Sequence, residues 1–184
     1  LTAYTKYLSN DAVYCNDRNL ASGQTYSTTN NFDYAPYERI YINKQPTYNC
    51  TNMSDAFSVN NTSAKLDYPV GLITIDELSY AGGQALMELT APYAWYYTNA
   101  NGKSITGTDI FWALSPIYWF RSRSRVWDVF GSVAYGYLDI INGNVDNPRV
   151  VRPSVSLLSC NLISRGNGSP ENPYEIYTGS GVCE

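Results

Sequence analysis

Four cysteines, Cys15, Cys50, Cys160 and Cys183, stand far apart in a chain of 184 residues, and their spacing limits its folds more than any other feature. None forms a C-x-x-C pair of the kind that holds zinc or runs redox chemistry. An even count at wide spacing reads instead as two disulfides in an oxidising compartment. Of the three connectivities that four cysteines permit, Cys15 with Cys50 and Cys160 with Cys183 is favoured, because each pair encloses a loop-rich stretch. Closing loops of that size stabilises a fold by roughly 3 to 4 kcal/mol each in the chain-entropy model. The competing reading is four buried free thiols, since free cysteine is among the most buried residue types.

The length suits one domain with a real core, residues 1 to 184, and is short for two. Histidine is absent. That removes Ser-His-Asp and Cys-His catalysis and His-bearing zinc sites, so no cofactor, no metal centre and no catalytic set is expected. A net charge of -4 opposes the phosphate neutralisation that nucleic-acid binding needs, so nucleic acid is not an expected partner. No apolar run approaches the ~20 residues that cross a bilayer, and the first residues are not a signal peptide. Contact with a membrane is expected only through a segment outside this sequence, such as an anchor, a pilin-type leader or a lipid attachment.

Along the chain, Tyr4, Tyr7, Leu8 and Ala12 fall at helical spacing and predict a short helix within residues 2 to 14. Residues 15 to 67 are polar, rich in Asn, Ser, Thr and Gly with scattered tyrosines, and read as ordered loop. Asn49, Asn52, Asn60 and Asn61 each begin a glycosylation-type triplet, a pattern that also arises by chance where these residues abound.

In "YPVGLITIDELSYAGG", residues 68 to 83, a short apolar strand runs into Thr74 as N-cap, with Glu77 closing a capping box and Gly82-Gly83 ending the helix. Asp76 and Glu77 have a sufficient structural reason in the helix dipole. Beyond residue 90 short strand-like runs alternate with turns, Asn101-Gly102 and Asn142-Gly143 being hairpin formers. A helix or two followed by many short strands is an α+β fold with a twisted, mainly antiparallel, loop-rich sheet.

The stretch "SPIYWFRSRSRVWDVFGSVAYGYLDI", residues 115 to 140, gathers Arg121, Arg123 and Arg125 among tryptophans, phenylalanines and tyrosines, in a chain with 18 Tyr and 4 Trp. Residues 121 to 130 do not alternate cleanly between faces, which places a turn at about 119 to 124 and a strand from Arg125 to Phe130. Arg, Trp and Tyr are the types enriched at binding hot spots. The blander reading makes Trp119, Phe120 and Trp127 core and the arginines a solvated edge that discourages strand pairing.

Taken together, "YCNDRNLASG", "PVGLITIDELSYAGG", "FWALSP", "VVRPSVSLLS" and "GNGSPENPYEI" resemble surface-associated proteins of gut Firmicutes and related bacteria, some with prepilin-type leaders. The ending is similar to the C-type-lectin-like, or formylglycine-generating-enzyme-like, fold, which also houses variable proteins diversified by retroelements. The resemblance implies a frame of Phe111–Pro116 and Val150–Leu158, with Trp112 in the core and Arg152 on backbone carbonyls. It implies a display segment at 117 to 149, a ligand-binding face of Tyr118, Trp119, Phe120, Arg121, Arg123, Phe130, Ser132, Tyr135, Tyr137, Asn142, Asn144, Asn147 and Arg149.

The departures matter too. Cys160 and Cys183 do not match the oxidase's reactive pair, and "DNP" at 146 to 148 and "WDV" at 127 to 129 do not match the calcium-dependent sugar loops. Asp139, Asn144 and Asp146 supply hard oxygens suited to a structural ion.

The expected function is a secreted or surface-displayed module that binds a protein or glycan on another cell, phage or host surface. The alternative is the structural head of a pilus or other appendage, its aromatics packing on neighbouring subunits. An enzyme working through paired carboxylates drawn from Asp109, Asp128, Asp139 and Asp146 is disfavoured, because no spacing singles two of them out.

Overall fold

The computed structural model describes residues 5–80, 99–100, 103–104, 111–120, 125–131, 151, 153–169 and 171–179. It is an α+β, loop-rich arrangement of small antiparallel sheets with little helix. Among the described residues, helix is confined to α1 (Ala35–Tyr37), which runs into a π-helical turn at Glu38–Ile42, to α2 (Ile75–Tyr80), and to one 3-10 turn. The first sheet pairs β1 (Tyr14–Cys15) with β3 (Ala56–Phe57), and three strands make the second: β2 (Phe32–Asp33), β7 (Phe111–Phe120) and β8 (Arg125–Gly131), with β7 central. The rest are two-stranded: β4 (Gly71–Leu72) with β9 (Pro153–Ser154), β5 (Asn99–Ala100) with β6 (Lys103–Ser104), and β10 (Ile163–Arg165) with β11 (Glu175–Ile176).

The N-terminal helix expected over residues 2 to 14 is not formed. A 3-10 turn at Thr5–Tyr7 gives way to pairing with residues 156 to 158: Leu8 bridges Leu157, the Ser9 amide donates to the Ser156 carbonyl at 2.8 Å and the Leu158 amide to that of Tyr7 at 3.0 Å. The apolar spacing still marked burial correctly, for Tyr7, Leu8 and Ala12 are all core. What changed is where the backbone groups find partners, and a distant segment outcompeted the local turn.

The capping box forms as the sequence indicates. The Glu77 amide donates to Thr74 Oγ1 at 3.1 Å, and Glu77 Oε2 accepts from the Thr74 amide at 2.8 Å. Ile75 and Leu78 carry the buried face of α2; Gly82-Gly83 lie outside the described residues. β5 and β6 pair with Ala100 opposite Lys103, while the expected hairpin former Asn101-Gly102 lies outside the described residues. Asn142-Gly143 lies outside the described residues.

Tyr14 is a centre of the core at 1% exposure. Its hydroxyl donates to the Pro69 carbonyl at 3.0 Å, and its burial raises the phenol's pKa. The ring lies so close to Gly71 that a Cβ there would collide with it, which explains glycine at the start of β4.

Candidate functional site

The segment singled out by its arginines and aromatics straddles an antiparallel hairpin. Phe120 is registered with Arg125, Trp119 with Val126 and Tyr118 with Trp127. Trp119 and Phe120, where a turn was expected at about 119 to 124, thus continue the strand because β8 supplies partners for their backbone groups, while residues 121 to 124 lie outside the described residues. On its other edge β7 meets β2, with Trp119 opposite Phe32 and Tyr118 opposite Asp33.

A proline inside a central strand conflicts with ladder pairing, and Pro116 is accommodated by register shifts on both sides of it. Just before it, Ser115 takes a φ of 94°. Such a conformation is unusual for a serine and is held by three contacts. Its amide donates to Asn16 Oδ1 at 3.0 Å, its hydroxyl donates to the Cys15 carbonyl at 3.2 Å, and its Oγ accepts from the Asp17 amide at 3.1 Å. The Leu114 amide turns to the Ile73 carbonyl at 2.8 Å, just ahead of α2. The base of the hairpin is therefore bolted to the Cys15 loop and to the entry of α2.

Beneath that mount lies a buried charge network. The Arg39 guanidinium grips Asp76 in bidentate fashion, Nε to Oδ1 at 2.7 Å and Nη2 to Oδ2 at 2.6 Å, and reaches Asp17 Oδ2 through Nη1 at 2.5 Å. Asp76 also accepts the Thr47 amide at 2.9 Å, and Asp17 accepts both nitrogens of Asn19, at 3.0 and 2.7 Å. Burial alone would lower the Arg39 pKa; hydrogen bonds and charge from Asp76 and Asp17 outweigh it and hold the guanidinium above its ordinary value. Asp76 thus has a second reason to stand in the first turn of α2, besides the helix dipole. A smaller pair seals the loop nearby: Asp55, fully buried, accepts Arg18 Nε at 2.6 Å and Asn52 Nδ2 at 3.2 Å.

Asp33, opposite Tyr118, has no such charged partner among the described residues, and burial raises its pKa above the ordinary carboxylate value. The folded protein therefore holds this proton more tightly than the unfolded chain. The ionised side chain costs stability at neutral pH, and the cost fades as pH falls through the folded-state value towards the unfolded one. Asp33→Asn is expected to raise Tm modestly at pH 7 and to leave it unchanged below about pH 3. Thermal unfolding followed by near-ultraviolet circular dichroism checks this; an equal shift at both pH values would mean that the substitution acts through packing.

Of the residues expected at the binding face, Tyr118, Trp119 and Phe120 lie in β7 and Phe130 in β8. Arg121, Arg123, Ser132, Tyr135, Tyr137, Asn142, Asn144, Asn147 and Arg149 lie outside the described residues, as do Arg152, Asp109, Asp139 and Asp146. Cys15 and Cys50 form a disulfide, Cys160 is disulfide-bonded, and Cys183 lies outside the described residues. Among the described residues no cluster of acidic or cysteine side chains could hold a metal ion, and no helix is long and apolar enough to cross a membrane.

The glycosylation-type triplets are largely spent on structure. Asn61 is buried and donates to the Met53 and Ala56 carbonyls at 2.7 and 2.6 Å, while Asn60 donates to the Asn10 carbonyl at 3.1 Å and Asn52 to Asp55. Two features escaped the sequence reading altogether, the Arg39 network and a stacked pair of exposed tyrosines, Tyr48 and Tyr80. Neither leaves a local pattern, since each joins residues more than twenty positions apart.

Comparison of the chain with family models, with curated proteins and with solved structures returned no match.

Proposed function

We propose that the protein is a secreted or surface-displayed, non-enzymatic binding module with a C-type-lectin-like frame, and that the β7–β8 hairpin with the segment after it presents its ligand-binding face. The observation that carries this reading is the hairpin register. Phe120 stands opposite Arg125 in a ribbon anchored at Ser115, and the sequence between those two residues is Arg121-Ser122-Arg123-Ser124. Tyr118, Trp119 and Phe120 end β7 and border the arginine-bearing segment in sequence. Arginine and tryptophan in such a segment supply the anchors that protein and glycan interfaces use. The Cys15–Cys50 disulfide fits an oxidising, extracellular compartment.

The test is binding of the oxidised protein to arrayed glycans and to intact bacterial and host cells, beside an Arg121→Ser/Arg123→Ser variant. A ligand whose binding falls at least about tenfold in that variant is the expected result, each anchor being worth about 1.4 kcal/mol or more. The absence of any ligand whose binding depends on these two arginines would overturn it. A structural head domain is the second reading, favoured by Leu162, Ile163 and Tyr174, all largely exposed around the β10–β11 ribbon. Sedimentation velocity decides for it if the protein self-associates in dilute solution and Ile163→Ser abolishes that.

A further inference from the structure

A separate groove, built from residues 11 to 13 and 47 to 61, carries features that the hairpin reading does not use. It has a volume of about 400 Å³, within the range of small-ligand sites. Its apolar contacts are Tyr48, Val13 and Met53, exposed by 70%, 48% and 57%. Asp11, Asn49 and Ser58 bring the polar groups.

Tyr48 is the centre of it. Its ring stacks on Tyr80 with centroids 4.4 Å apart and planes 18° from parallel, so one face is covered and the other stands in water. The stack is tethered, because the Tyr80 hydroxyl donates to the Pro46 carbonyl at 2.7 Å. The segment is pinned on both sides of Tyr48: the Thr47 amide is held by Asp76 at 2.9 Å, and Cys50 is bonded to Cys15. A side chain this exposed on a backbone this fixed has already lost the freedom that binding would otherwise remove.

The chemistry around the ring selects a class of ligand. The Asn49 side-chain amide makes no hydrogen bond to a described residue, which leaves a donor and an acceptor beside the platform. Asp11 spends Oδ1 on Asn60 Nδ2 at 3.2 Å and keeps its second oxygen. An aromatic face beside a free amide and a carboxylate matches a pyranose, whose flat C–H face lies on the ring while hydroxyls at its edge meet the polar groups. Asp11 is the lone formal charge among the described lining residues, which disfavours anionic sugars. The geometry points to a second binding site at this groove, taking a neutral oligosaccharide across Tyr48 with Asn49 and Asp11 reading its hydroxyls.

The probes are cellohexaose, xylohexaose and chitohexaose, titrated into the 15N-labelled full chain and followed by amide chemical shifts. At least one of them is expected to move residues 47 to 53 and 58 to 61 in a saturable way. Tyr48→Ala should weaken that binding about tenfold, the upper range for loss of one aromatic contact. Tyr80→Phe, which keeps the ring and removes the tether to Pro46, should weaken it severalfold, and Arg121→Ser/Arg123→Ser should leave it unchanged. Tyr48 is exposed, so the variant folds, and its retained spectrum verifies that. Silence from all three sugars, undiminished binding by Tyr48→Ala, or a proline-rich peptide occupying the groove where the sugars do not would each overturn the assignment.

Discussion

Arg39→Met is expected to cost about 3 to 5 kcal/mol. The reason is what it leaves behind. Asp76 and Asp17 are about 5% and 9% exposed in their side chains, and without the guanidinium both carboxylates remain desolvated with no counter-charge. Methionine fills the volume of the side chain's stem, so the loss isolates charge and hydrogen bonding from packing. Against a total domain stability of about 5 to 15 kcal/mol, that is enough to unfold a sizeable fraction of the chain at 37 °C.

Urea unfolding measures it, and two further variants make the number interpretable. Arg39→Lys keeps the charge but loses the fork that holds both oxygens of Asp76, and should fall between wild type and Arg39→Met. Asp76→Asn added to Arg39→Met should recover part of the loss, because it removes one of the stranded charges; a coupling energy near zero in that cycle would show that the two groups do not act as a pair. The same network explains why the hairpin mount would feel the change. Asp17 holds Arg39 through its side chain and Ser115 through its amide, so disorder at Asp17 reaches the base of β7 directly.

Local signals in the sequence translated well into structure, and non-local ones did not. Thr74 and Glu77 lie three residues apart and satisfy each other's backbone groups, so their capping box was visible without knowledge of the fold. The start of β8 at Arg125 was legible too, whereas β7 runs on through Trp119 and Phe120, where a turn was expected. The stretch from Tyr4 to Ala12 failed instructively: its apolar period reported burial, yet the chain met that burial by pairing Tyr7 and Ser9 with residues 156 to 158. Periodicity says which side chains leave water and is silent on which backbone groups pair. Arg39 with Asp76, and Tyr48 with Tyr80, are separated by 37 and 32 positions, and nothing near either residue names its partner. Ser115-Pro116 looked like an ordinary strand end, and only the three contacts from Asn16, Cys15 and Asp17 make a positive φ tolerable there.

Removing the Cys15–Cys50 disulfide by Cys15→Ala/Cys50→Ala is expected to cost about 4 kcal/mol, the chain-entropy value for a loop of this size. The bridge spans 35 positions and encloses Asp17, Arg18, Arg39 and the tyrosine platform. Substitution is the right perturbation, since a thiol reductant would open the bond at Cys160 as well. The native shape should survive at low temperature, because β1 and β3 stay registered through Tyr14–Phe57 and the Asn16 amide still reaches the Asp55 carbonyl at 2.9 Å. What should change is the unfolded chain, which regains the freedom of the opened loop. Urea unfolding is therefore expected to show a lower midpoint, while near-ultraviolet circular dichroism before the transition stays close to wild type. A loss below about 1 kcal/mol would mean that the unfolded chain keeps residues 14 and 57 together without the bond, so that the bridge closes a loop already closed.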